Sequence, residues 1–311
     1  MATSRPMNNV HRLITECGRQ GALDFGIKAE VIHAAASYLS DEEGGTGFLY
    51  SGWCQAALPH KKLADGDDWQ VEAGNVTLIV EAGVRPGPGG KPISVGVPYG
   101  SRARLILLYL QSEALRTSCP EVELGKSLRA WMARIGVPIG GSNAALLREQ
   151  AERISRCRLT FHVARGDKVG MLSQTIVDAA LFERADGKRS GFAERARLSD
   201  GFFAQLKDHS VPLDEAAIRA IANNSQAIDI YAWLAYRLHH LTKATPMSWA
   251  AAKKQFGLAV KRMDHFREKF IPNLELSLAV YPDAKVDITP TGLVLHPSRP
   301  PVEPRKLLRT A

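Results

Sequence analysis

The sequence predicts a helix-rich α+β fold built from two tandem winged-helix domains, and three observations carry that expectation. Residues 98–158 hold three helical patterns separated by short turns. Alternating apolar residues follow at once from Leu159, as a hairpin requires. The same order of long helix, short helix, basic helix and hairpin then recurs between Ser225 and Leu295. The expected organisation is an N-terminal helical segment over residues 1–46 and a first winged-helix domain with N-terminal strands over 47–210. A second winged-helix domain over 211–300 and a basic C-terminal tail over 301–311 complete it.

The first forty residues read as helical. Val31, Ile32, Ala35, Ala36 and Leu39 form a modest apolar stripe, which ends at Ser40-Asp41-Glu42-Glu43-Gly44-Gly45. The aromatic run 47–58 favours strand, as does Val76–Val80. Gly83–Pro92 is rich in proline and glycine and is expected to be an exposed loop.

Within 98–158, a helix over about 101–117 places Leu105, Leu108, Tyr109 and Leu115 on one face. Val122-Glu123-Leu124 offers a short extended segment. A second helix over about 127–135 spaces Leu128, Trp131, Met132 and Ile135 three or four apart. It stops before Pro138, because a proline disfavours helical geometry in the residue preceding it. Gly140-Gly141 supplies a turn, and either Ser142 or Asn143 is placed to cap a third helix reaching about Cys157. That helix should bury Leu147, Ala151 and Ile154, leaving Arg148, Glu149, Glu152, Arg153 and Arg156 in solvent. Helix, tight turn and basic helix is the form in which a helix-turn-helix reads DNA.

Leu159–Val163 and Lys168–Ala180 form the expected wing, turning at Arg165-Gly166-Asp167. A third strand around Leu181-Phe182-Glu183 and a loop at Asp186-Gly187-Lys188 follow. A helix over about 200–207 and a linker at His209-Ser210-Val211-Pro212 lead into the second copy. There Asp214–Asn223 is a short helix, Ser225–Leu241 a long one, and Ser248–Phe256 a third with Ser248 as cap and Gly257 as stop. Residues 260–280 should bury Met263, Phe266, Phe270 and Leu274, with Pro272 kinking the helix or beginning a new one. A hairpin over 285–295 turns at Pro290-Thr291-Gly292.

A chain of 311 residues is long enough for two domains, and 45% hydrophobic with 23% charged residues is ordinary for a globular protein. No apolar run approaches the ~20 residues that span a bilayer. The N-terminus lacks the apolar core of a secretion signal. Four scattered cysteines suit a reducing compartment, so the cytoplasm is the expected location. The net charge of +8 is unevenly placed. Residues 1–98 hold eight basic and eleven acidic side chains, residues 99–170 twelve and six, and residues 237–270 eight and two. Two basic segments suit two contacts on a polyanion.

Other chemistries fail on their spacing. GPGGKP at 87–92 would be a phosphate loop only with glycine in place of Arg85 and Ser or Thr in place of Pro92. His239-His240 lacks the further ligands of a metal site, and one of the two should be buried. Asp65, Asp67 and Asp68 fit a solvated loop better than a divalent-ion site. No cofactor, no metal and no enzymatic activity are expected.

GFLYSGWCQAALPH at 47–60, VGVPYGSRARLILLYLQSEALRT at 95–117, and YPDAKV with GLVLHPSRPPV within 281–302 resemble plasmid-encoded RepA-type replication initiators. The resemblance covers most of the chain, Leu23 to Val302, and the YGSRARLILLYLQSEA segment is its most specific part. Proteins of this kind are similar to the wider class of iteron-binding plasmid initiators, built from two winged-helix domains. The resemblance implies binding to repeated double-stranded DNA sequences at a plasmid origin, local duplex opening, and recruitment of host replication proteins such as the host initiator and replicative helicase. It also implies a monomer–dimer equilibrium. It supplies no catalytic motif and no individual DNA contacts.

From pattern alone, the residues expected to bind DNA in the first domain are Ser142, Asn143, Arg148, Arg153 and Arg156, with Arg165 and Lys168 reaching phosphates from the wing. In the second they are Lys261, Arg262, His265 and Arg267, with Lys253 and Lys254 on the preceding helix. The alternative reading is a transcriptional regulator on the same scaffold, since a fold does not fix a function. The acidic N-terminal third is left to dimerisation or helicase contact.

Overall fold

A computed structural model describes residues 10–125, 127–165, 168–182 and 193–303. Two helices come first, α1 (Val10–Asp24) and α2 (Ala29–Leu39). The alanine-rich inner face of α2 buries Val31, Ile32 and Ala35. β1 (Thr46–Tyr50) follows, but the aromatic run does not continue as strand: Ser51–Gln55 turns into a short helix, α3. There Trp53 and Cys54 are buried, and Trp53 meets the Phe161 ring edge-on at 5.4 Å. Packing against that ring overrides local β preference. β2 (Trp69–Ala73) and β3 (Val76–Glu81) pair as a hairpin. The expected loop 83–92 is itself a hairpin, β4 (Gly83–Pro86) and β5 (Pro92–Gly96).

The first winged-helix unit begins with α4 (Gly100–Thr117) and continues through β6 (Glu121–Glu123), α5 (Leu128–Arg134) and α6 (Gly141–Arg156). α4 is more deeply set than the expected stripe implies. Leu105, Ile106, Leu107, Leu110 and Gln111 are all buried, whereas Leu108, Tyr109 and Leu115 are only partly covered. After α6 come β7 (Arg158–Arg165), β8 (Lys168–Thr175), β9 (Val177–Phe182) and β10 (Ala193–Leu198). β7 and β8 extend the β2–β3 hairpin into a four-stranded antiparallel sheet, ordered β2-β3-β7-β8. A separate sheet, ordered β6-β10-β9, closes the winged helix. The strand pair in the wing position is therefore β9–β10, and the hairpin expected to be the wing belongs to another sheet. Glu183 and the loop at Asp186-Gly187-Lys188 lie outside the described residues, as do residues 304–311 of the tail.

α7 (Asp200–Asp208) starts at Ser199, whose Oγ accepts the Phe202 amide. The expected linker is strand β11 (Ser210–Asp214), which pairs antiparallel with β1 from Thr46↔Asp214 to Tyr50↔Ser210. α8 (Glu215–Ala220) is capped by Asp214, whose Oδ1 accepts from the Ala216 amide at 2.8 Å.

The second unit repeats the plan: α9 (Ser225–Leu238), β12 (Thr245–Ser248), α10 (Trp249–Phe256), α11 (Met263–Ala279), β13 (Val286–Thr289) and β14 (Gly292–Leu295). Its sheet is ordered β12-β14-β13, the same arrangement as β6-β10-β9. α11 runs through Pro272 instead of stopping there. Phe266, Phe270 and Leu274 are all buried, and burial of that face holds the helix against the lost amide bond. Met263, expected in the core, is 36% exposed at the helix start.

The two units meet along α4 and α9. Arg104 and Asp229 are 7% and 8% exposed and form a bidentate pair, Nε–Oδ1 and Nη2–Oδ2 both at 2.6 Å. Arg104 also donates to the carbonyls of Leu58 at 2.7 Å and Gly100 at 2.8 Å. The N-terminal helices lie against the second unit. His11 Nε2 sits 2.7 Å from the Ala279 carbonyl, and Lys28 pairs with Glu275 at 2.9 Å. No helix of the described residues is long and apolar enough to cross a membrane.

Candidate nucleic-acid interface

Each unit presents the same device, a short helix, a turn, and a longer helix whose first turn faces solvent. In the first unit Ser127 caps α5, its Oγ accepting from the Ala130 amide. Gly136 then leaves the helix with φ +68°, a conformation that costs an L side chain energy and suits glycine. The turn is tied down by the Val137 amide donating to the Met132 carbonyl at 2.8 Å. α6 starts at Gly140 without a side-chain cap, so neither Ser142 nor Asn143 plays the expected part. Ser142 stands exposed in the first turn. Asn143 instead donates through Nδ2 to the Pro138 carbonyl at 2.9 Å and accepts from Arg102 Nη2 at 3.1 Å.

The basic face of α6 divides sharply. Arg148 is exposed and, among the described residues, forms no ion pair. Arg153, expected in solvent, is 3% exposed. Its guanidinium donates to the Val97 carbonyl at 3.0 Å, pairs with Glu149 at 2.8 Å and Asp65 at 3.1 Å, and stacks over Tyr99 at 5.2 Å. A side chain so enclosed fastens α6 to the 65–99 segment and is corrected from DNA contact to structural anchor. Asp65, in the acidic loop, is held below the usual carboxylate range by hydrogen bonds and charge from Arg153 and Lys62, which outweigh its desolvation. Arg156 donates to the Val84 carbonyl at 3.2 Å and lies 3.5 Å from Glu152, so its charge is partly engaged. Arg165 and Lys168 oppose each other at the end of β7–β8. Their side chains lie outside the described set, and their hairpin is not the wing.

In the second unit Ser248 caps α10 as expected, accepting from the Ala251 amide at 3.2 Å. Gly257 ends it, and a Cβ there would fall 2.4 Å from the Phe266 ring, so the turn is built on close approach. Lys261, Arg262, Asp264, His265, Glu268 and Lys269 are exposed at the start of α11. Lys261 and His265 form no ion pair among the described residues, whereas Arg262 pairs with Asp264. Arg267 stacks over the Trp249 ring at 4.9 Å, which orients it across the α10–α11 turn. Lys253 is half-buried and forms no ion pair among the described residues, and Lys254 pairs with Glu72 of β2 at 2.9 Å.

One cation was missed. Arg102, at the head of α4, bridges Asn143 in the first turn of α6 and Asn223 just ahead of α9, at 3.1 and 3.0 Å. Its Nη1 is buried without a hydrogen-bond partner among the described residues, and burial lowers its pKa. The only sequence signal was an arginine two residues into a helix, which by itself marks nothing. His239 and His240 are both exposed, each bonded through Nδ1 to its own helix, contrary to the expected buried one. Among the described residues no three His, Cys, Asp or Glu side chains are grouped to hold a metal ion.

Comparison with known proteins gives two kinds of likeness. The solved structure of domains 2 and 3 of RctB, as its selenomethionine derivative, superposes with a TM-score of 0.52 at 11% identity, over 81% of this chain and 99% of that one. A second RctB structure, of domains 2–3, gives a TM-score of 0.43 at 10% identity over 78% and 94%. The first likeness is one of fold. No curated protein matches the sequence. A family model described as plasmid-encoded RepA protein matches residues 97–251, the span that contains the whole first helix-turn-helix and the head of the second unit. Over that span, just under half of the chain, the protein is similar to plasmid-encoded RepA proteins.

Proposed function

We propose that this chain starts plasmid replication by binding repeated double-stranded sequences at the origin, one winged-helix unit per major-groove contact, and that it recruits host replication proteins there. The observation that carries the reading is the pair of solvent-facing helix starts. Each unit exposes near such a start one cation that forms no ion pair among the described residues, Arg148 two turns into α6 and Lys261 just ahead of α11, where exposed His265 follows. The protein binds and deforms the duplex without cutting it, and in solution passes between monomer and dimer.

Footprinting on the plasmid DNA flanking the gene should reveal regularly spaced protected repeats. Arg148→Ala and Lys261→Ala should each weaken binding to such a repeat by about 5–150-fold if they read bases, as the 1–3 kcal/mol of a base contact implies. If they touch phosphate, each should lower the log–log salt slope by about 0.9 instead. Wild-type affinity and slope in both variants would overturn the assignment. A cloned fragment carrying the repeats should replicate only when the protein is supplied. Promoter response without replication would favour a transcriptional regulator, and persistent nicking of supercoiled DNA in Mg²⁺ would contradict both.

A further inference from the structure

The β4–β5 hairpin lies outside the winged-helix plan. Its strands pair only with each other, Val84↔Ser94, Arg85↔Ile93 and Pro86↔Pro92. The base is fastened to the C-terminal half of α6. A Cβ on Gly83 would fall 2.2 Å from the Arg156 carbonyl oxygen, Arg156 Nη1 donates to the Val84 carbonyl at 3.2 Å, and Arg85 pairs with Glu152 at 3.3 Å. Ser94 Oγ bonds the Asp65 carbonyl on the other side. Beyond Val84 and Arg85, which belong to that base, the arm makes no such tie among the described residues, and from Val84 to Ile93 every residue is exposed except half-buried Gly87.

What the arm exposes is unusual for a surface loop. Val84 is 55% and Ile93 41% exposed, and three prolines, at 86, 88 and 92, stiffen the ribbon. Prolines sit here at little cost because the arm has no outer strand to receive their missing amide hydrogens. Between Ala82 and Ser112 the sequence holds no carboxylate, so Arg85 and Lys91 are the arm's only charges. Apolar side chains on a rigid cationic ribbon are what minor-groove proteins insert between base steps, kinking the duplex. A strand of about five residues at ~3.3 Å each reaches ~16 Å. That is about half the ~34 Å turn of the duplex, the distance from a major groove to the neighbouring minor groove.

We propose that β4–β5 is a minor-groove arm that wedges its exposed Ile93 and proline-rich tip into the duplex beside the major-groove site of α6, with Val84 on the ribbon's opposite face lining the groove nearer the base, bending the origin DNA. The proposal rests on the DNA-binding reading above and gives origin opening a physical source, since unstacking at a kink lowers the cost of melting. Arg85, tied to Glu152, holds the arm's angle, and Lys91 at the tip meets phosphate.

The test uses the full chain and a 60-bp duplex, labelled at both ends for energy transfer, that carries a footprinted repeat. Wild-type protein should bend it by an angle within about 20–90°, and binding should be blocked by adenines methylated at N3, which lies in the minor groove. Val84→Ser/Ile93→Ser keeps the arm's charge. It should retain binding to within about threefold while losing most of the bend and the N3 interference. Lys91→Ala should keep the bend and lower the salt slope by about 0.9. Both changes fall on exposed positions, so thermal melting should stay near wild type and report a folded protein. A wild-type chain that ignores the repeat overturns the DNA-binding reading itself. A chain that binds and bends the duplex, with Val84→Ser/Ile93→Ser bending it equally, overturns the arm alone.

Discussion

Asp229→Ala should loosen the seam between the two winged-helix units. Asp229 accepts two 2.6 Å bonds from Arg104, and both side chains are more than nine-tenths buried. Removing the carboxylate leaves a guanidinium among the carbonyls of Leu58, Pro59 and Gly100, which accept its hydrogens but cannot balance its charge. Breaking one side of a buried pair costs about 3–5 kcal/mol, because the surviving charge stays desolvated. At about 2–4 °C per kcal/mol for a chain in this size range, the melting temperature should fall by roughly 6–20 °C. The Arg104→Met/Asp229→Leu double change should recover most of the loss, since apolar replacement removes the desolvation penalty along with the attraction. Urea unfolding followed by tryptophan fluorescence and by helix signal measures both. A single Asp229→Ala variant within about 1 kcal/mol of wild type would refute the claim that the pair is dry and essential to the seam.

Arg153→Ala should lower stability by about 2–3 kcal/mol, because the Val97 carbonyl and two carboxylates lose a shared buried donor. It should leave the salt slope of DNA binding unchanged, and a reduced slope would return Arg153 to the interface. His60, beside the seam, has its pKa pulled down to about 4, chiefly by burial and also by Arg104, against an opposing pull from Asp229. Its unfolded form takes a proton near pH 6.5 while its folded form does not, so stability should fall as pH drops from about 6.5 towards 4. The ring is 34% exposed, which limits the effect to about 1–2 kcal/mol. His60→Gln should flatten that part of the pH–stability curve, and an unchanged slope would place the titration elsewhere.

Much of the architecture was legible because helix starts and stops are local chemistry. Ser248 announced a cap, Gly257 a stop, and the two hairpin strands around Pro290-Thr291-Gly292 formed within a residue of expectation. The failures came where a distant partner decided. His209–Pro212 reads as a linker until β1 is there to pair with it. The wing was misplaced because β7 and β8 have good strand patterns, and nothing in them says that β3 is the neighbour and not β6. Proline and glycine marked 83–92 as irregular, yet two prolines facing each other across a ladder leave a hairpin intact.

The site shows the same limit in its charges. A surplus of arginine and lysine over residues 99–170 suggests a basic surface, but a segment's charge is not a surface's charge. Arg104 is buried against Asp229, Arg153 against Asp65 and Glu149, and Arg156 shares its charge with Glu152, so three of those cations hold the fold together. What remains on α6 for a polyanion is chiefly Arg148, with the exposed Ser142 ahead of it. The start of α11 keeps Lys261, His265 and Lys269 in the open. The second unit should therefore carry the larger share of the salt dependence, and the first should contribute through close fit in the groove and through the hairpin that α6 supports. Two copies of one plan thus divide the work unequally, because the first helix of the pair is also the foundation on which β4–β5 stands.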